Sequence, residues 1–124
     1  PGLNDAEMEA ILAAASRAGA TAGGYVLLRL PHELRTLFTE WLQAHYPERA
    51  AHVLSLIRQT RAGALNDAKF GSRFSGVGVY ADMLAKRFAI AARRFGLDEP
   101  MAGLDCSRFA PPRPRKEERQ LALL

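Results

Sequence analysis

Cysteine is all but missing: Cys106 is the single thiol in 124 residues, so no internal disulfide can form, and the composition fits a reducing, cytoplasmic setting. With one cysteine there is no thiolate cluster for a metal. His32, His45 and His52 have neither the spacing nor the partners of a zinc site. No apolar run approaches the roughly 20 residues that span a bilayer, and no signal peptide is visible, so no membrane partner is expected. A Ser/His/Asp or Cys/His constellation is also wanting: Ser107 stands beside Cys106 without a base in reach, and Glu7 and Glu9 face solvent by helical phase. Taken alone, the chain carries no self-sufficient catalytic machinery.

What is present is globular composition, 48% hydrophobic and 24% charged, with a formal net charge of +4. The basic excess favours a polyanionic partner such as nucleic acid, although cations spread along helices also serve simply to solvate them. The stretch from Gly24 to Pro31, Gly-Tyr-Val-Leu-Leu-Arg-Leu-Pro, reads as a buried β-strand over 24–30, bounded by Gly and Pro. A strand covered on both faces belongs to a parallel sheet, and one strand cannot make a sheet. Together with a first residue that is Pro1 and not Met, this points to a piece of something larger.

Apolar spacing predicts a helix over 4–18, with Asn4 as N-cap and Glu7 as its capping-box partner, stopped by Gly19. Helix then strand is half of a βαβ unit, which makes Pro1 to Leu3 the exit of a preceding strand. Alternation along 24–30 puts Tyr25, Leu27 and Arg29 on one face and Val26, Leu28 and Leu30 on the helix-packed other. Ligands bind at the carboxyl ends of such strands, so Asn4, Asp5, Arg29 and His32 are expected on one rim.

Further helices are predicted over 33–45, with Leu34, Leu37, Phe38, Trp41 and Leu42 as a core stripe, over 47–60 starting at Pro47, and over 79–95 stopped by Gly96. Between the last two, residues 62–78 lose periodicity and form a long loop. Lys69 and Arg73 are interleaved there with Phe70 and Phe74, as in binders of single strands, or else the two Phe anchor the loop and the cations are solvated. Gly76 and Gly78 before the last helix read as a turn more readily than as a phosphate loop, since no strand precedes them. Residues 97–124 form a Pro-rich, basic tail ending in Gln120, Leu121, Ala122, Leu123 and Leu124.

The order of Pro1-Gly-Leu-Asn-Asp5, Gly24 to Pro31, Trp41-Leu42, His45-Tyr-Pro-Glu-Arg-Ala50, Leu54-Ser-Leu-Ile-Arg58, Gly71-Ser-Arg73, Gly76, Tyr80-Ala81 and Arg93-Arg-Phe-Gly-Leu97, with the terminal Gln-Leu-x-Leu, resembles one group of radical SAM proteins. That group is related to spore photoproduct lyase and is often described as DNA repair photolyase. The resemblance implies an α/β fragment, mostly α-helical. Residues 1–31 would be the last βα elements of a partial (β/α)6 barrel, and 32–96 a helical extension. It implies a parent enzyme, a lyase-like one, that binds a four-iron four-sulfur (4Fe-4S) cluster and S-adenosylmethionine through an upstream CxxxCxxC motif that this chain lacks. Asn4, Asp5 and Arg29 would be contacts around the adenosyl group and substrate. The plainer readings are a helix cap, a charge at the helix dipole and an ion-paired barrel residue. The terminal peptide, Gln120, Leu121, Leu123 and Leu124, is similar to those by which bacterial repair proteins dock on the sliding clamp. The alternative is a free-standing basic helical module that binds nucleic acid or protein.

Overall fold

The computed structural model describes residues 1–99, 103 and 105–112, and the described chain is mostly helical, with four α-helices. A single 3-10 turn, Asp5–Glu7, leads into α1, Met8–Arg17. The capping box does not form: neither Asn4 nor Glu7 makes a side-chain cap bond, and the Glu7 N–H donates to the Asn4 carbonyl at 3.0 Å instead. The tighter three-residue spacing leaves the Asp5 carboxylate to accept from the Tyr80 hydroxyl. At the other end Gly19, at φ 89°, sets a left-handed cap. Its N–H reaches the Ser16 carbonyl and the Ala20 N–H that of Ala15, both at 3.0 Å.

Helix α2 is Leu34–His45 and α3 is Pro47–Gln59, the proline standing in the first turn where no N–H is needed. Ala50, Val53, Leu54 and Ile57 of α3 are all buried, as their spacing predicts. The α2 stripe is not: Leu42 is buried, yet Leu34 and Leu37 are exposed and Trp41 keeps 41% of its surface in water. Trp41 lies against Phe38, His45 and Tyr46 of its own neighbourhood rather than in the core. Helix α4, Val79–Arg94, ends on the same left-handed cap as α1, with Gly96 at φ 66° and the Leu97 N–H on the Ala92 carbonyl at 2.8 Å.

Residues 24–30 form no strand, which corrects the α/β expectation for the described chain. Among the described residues the β pairing is one isolated antiparallel bridge, Ala22 to Asp98. The reason is the one that makes single strands untenable: backbone groups need partners, and here they find others. The Leu27 N–H donates to the Phe74 carbonyl at 2.9 Å, and the Leu27 and Leu28 carbonyls accept from Arg61. Freed from a pleat, the segment buries Leu27 and Leu30, three apart, and leaves Val26 64% exposed.

The segment still organises the molecule. Leu30 packs with Leu42, Val53 and Ile57 between α2 and α3, whereas Leu27 packs with Ala81 and Leu84 of α4. A further cluster, Leu12 with Ala91, Ala92 and Leu97, joins α1 to α4. Leu97 is therefore core and not the start of a tail. The Ser16 hydroxyl on the Phe95 carbonyl at 2.8 Å and the Arg87 guanidinium on Glu9 tie the same pair.

Candidate functional site

Two neighbouring regions hold Asn4 and Asp5, and Arg29, Lys69 and Arg73, and Arg61 stands behind both. It follows α3, is 2% exposed, and spends its guanidinium on backbone. Nη1 donates to the Ser72 and Arg73 carbonyls at 3.1 and 2.9 Å, and Nη2 to those of Leu27 and Leu28 at 2.8 and 3.0 Å. Burial pulls its pKa below the ordinary arginine value, against a raising field from Asp67. One side chain thus clamps the 24–30 segment to the 62–78 loop.

The loop is held from behind as well. The Val77 N–H caps the Thr60 carbonyl at 3.0 Å, and this close approach requires Gly76, at φ 77°, where a Cβ would lie 2.7 Å from Leu27 Cδ1 and 3.0 Å from the Thr60 oxygen. Gly76 and Gly78 therefore serve the joint between α3 and α4, as the turn reading expects. Within the loop Asp67 accepts from the Lys69 N–H at 2.8 Å and from the Ser72 hydroxyl. Those hydrogen bonds hold its carboxyl below the usual carboxylate range.

Lys69 and Arg73 lie one turn apart, linked by the Arg73 N–H on the Lys69 carbonyl at 3.0 Å. The Arg73 guanidinium stands 5.0 Å from the Phe70 ring centre and 4.6 Å from that of Phe74. Arg29 approaches the Phe74 ring at 5.4 Å. Neither Arg29 nor Arg73 is ion-paired among the described residues, and the Nε of each is buried without a hydrogen-bond partner. Phe70 projects outward, 89% exposed, so it does not anchor the loop to the core.

The second region is a cavity of about 400 Å³ between α1, residues 24–28, Phe38 of α2 and α4. Asn4, Asp5 and Tyr25 line it among apolar side chains that include Ile11, Leu12, Val26 and Phe88. Asp5 accepts from Tyr80, whose hydroxyl is held neutral: burial first, then the Asp5 carboxylate, push its pKa up to about 12. Burial alone would raise the Asp5 pKa, but the Tyr80 hydroxyl and backbone N–H groups outweigh it and leave it lowered. The Asn4 side chain makes no cap bond and remains available to the cavity.

The structure thus brings Asn4 and Asp5 together, and Lys69 and Arg73 together, but sends Arg29 to the second group. His32, at φ 47°, is exposed at the mouth of α2 and does not line the cavity. Arg61 and the Asp5–Tyr80 contact escaped the sequence reading: an Arg just past a helix looks like a charge opposing the helix dipole, and Tyr80 like one more apolar-face residue. Gln120, Leu121, Leu123 and Leu124 lie outside the described residues. No family model, curated protein or solved structure matches the chain. Among the described residues no helix is long and apolar enough to cross a membrane.

Proposed function

We propose that this chain is the C-terminal portion of a radical SAM iron–sulfur enzyme of the spore photoproduct lyase-like group, in which residues 24–30 take their place beside a neighbouring barrel strand. One observation carries the reading. The segment has strand composition, has no strand partner among the described residues, and turns Val26 outward at the rim of an apolar cavity that Asn4 and Asp5 line. Exposed apolar side chains on a segment of strand composition are what a sheet edge presents to a missing neighbour.

The residues present do not fit the cluster. Cys106 is the single thiol, and among the described residues no three His, Cys, Asp or Glu side chains gather to hold a metal. The cluster, and the radical chemistry that depends on it, would belong to cysteines outside this sequence. The fit is better for the adenosyl group of S-adenosylmethionine: the cavity is apolar, and Asn4 offers an amide that can pair with a base edge or ribose. Asp5, already engaged by Tyr80, orders the 3-10 turn that presents Asn4. Arg29, turned to Phe74, is not a contact of this cavity. The terminal clamp-docking peptide is part of the same proposal, as is the cytoplasmic setting.

The test is to translate the coding DNA upstream of Pro1 and to purify the complete product anaerobically with iron and sulfide. An upstream CxxxCxxC, a reconstituted cluster and reductive release of 5′-deoxyadenosine are expected, with S-adenosylmethionine bound more weakly by Asn4→Ala. A complete product without that motif overturns the proposal.

A further inference from the structure

The positive charge around Phe74 is concentrated beyond what the fold uses. Arg29, Arg61 and Arg73 all converge there, with Lys69 one turn away. Arg61 is consumed by four carbonyls, and the Asp67 carboxylate acts on it. Arg29 and Arg73 have no carboxylate partner among the described residues, and their planar groups lie over aromatic rings. Such unneutralised cations on a net-basic chain, +4 overall, attract a polyanion.

Phe70 decides which polyanion. A ring 89% exposed, with an arginine stacked along one side, has no role in the core. It offers a π-face beside phosphate-seeking cations, the combination on which unpaired bases stack. In a duplex the base faces are already stacked and out of reach, so the ring adds nothing there. Arg61, through the Ser72 and Arg73 carbonyls, holds the turn in place before any ligand arrives, so little ordering entropy is lost on binding.

We infer that the turn over residues 67–74 is a binding site for single-stranded nucleic acid, in which Phe70 stacks on a base while Lys69, Arg73 and Arg29 hold the flanking phosphates. The site lies outside the cavity assigned to the adenosyl group, and the inference holds or fails independently of the enzyme reading.

The experiment is fluorescence anisotropy of end-labelled oligo(dT) titrated with the full chain over a range of salt concentrations. Saturable binding that weakens steeply with salt is expected. Phe70→Ala should weaken it about tenfold, within the range of a lost base stack, with an unchanged thermal melt because the ring is exposed. Lys69→Ala should lower the slope of log affinity against log salt by about 0.7, one phosphate's worth on a single strand. A parallel titration with oligo(U) tells whether the sugar matters; binding of either strand supports the site. Three results would overturn the inference: no saturable binding at low salt, Phe70→Ala binding as tightly as the parent, or a duplex of the same length competing equally well.

Discussion

A guanidinium taken out of water without a carboxylate against it is tolerated only where hydrogen bonds replace its hydration. At Arg61 four backbone carbonyls do so for the two terminal nitrogens, two from each of the segments it joins, while Nε stays buried without a partner. Removing the side chain would leave the buried Leu27 carbonyl and three part-buried ones without this donor. Arg61→Met should therefore lower the free energy of unfolding by about 3 kcal/mol or more, read from urea denaturation. Arg61→Lys should recover only part, since an ammonium cannot spread across two carbonyl pairs as the planar fork does. A loss of under about 1 kcal/mol for the methionine variant, the net worth of an ordinary hydrogen bond, would show that the clamp is dispensable. Tyr80 makes a different prediction, one that depends on pH. Its folded pKa of about 12 exceeds the ordinary 10.0, so folding favours the neutral hydroxyl. The stability it contributes is whole below pH 10.0 and is lost as pH rises towards about 12. Asp5 has the opposite sign: its lowered pKa contributes stability that fades as pH falls through the acid range. Tyr80→Phe should flatten the alkaline decline and raise the Asp5 pKa in an NMR titration. An unmoved Asp5 titration would show that the contact does not exist in solution.

At the scale of elements the sharpest test is a comparison of two glycines in the same loop. Gly71 has φ 103° and open space around the position of a Cβ, whereas Gly76 has φ 77° and would drive a methyl into Leu27 and the Thr60 carbonyl. Gly71→Ala should cost only the backbone strain, about 1–2 kcal/mol, and Gly76→Ala should cost clearly more because the loop must lift from α3. Equal thermal shifts for the two would mean that the loop does not seat on α3 as described. These elements also mark what could be read beforehand. The four helices follow apolar spacing, and their ends follow Pro47, Gly19 and Gly96, because those signals are local. Residues 24–30 could not be read to the end: their composition is that of a strand, but pairing is a property of neighbours that these residues do not find. The α2 stripe misled for a related reason. Spacing tells that Leu34, Leu37 and Trp41 share a face, and says nothing of whether anything covers it. Of the candidate residues, Asn4 with Asp5 and Lys69 with Arg73 are near in sequence and stay together in space. Arg29 depended on a sheet, and without one it packs on Phe74.

For the whole molecule, the uncovered apolar surface is continuous. The cavity beside α1 and the shallow hollow along α2 share Leu28 and Phe38, so Ile11, Val26, Leu37 and Trp41 lie around one apolar surface. If that surface awaits a further part of an enzyme, the chain on its own should associate through it. Sedimentation velocity should show the mean mass rising with concentration, and sulfate should strengthen the effect, since excluded salts favour apolar burial. Val26→Lys with Leu37→Lys should restore the monomer without changing the melt, because both side chains are exposed. A parent chain that stays monomeric at every concentration would show that this surface needs no cover. The salt dependence separates the two surfaces: association through Val26 and Leu37 gains from added sulfate, while nucleic acid held by Lys69 and Arg73 is released by salt. A single series at rising ionic strength therefore reads both, and the double lysine variant should alter the first response while leaving the second in place.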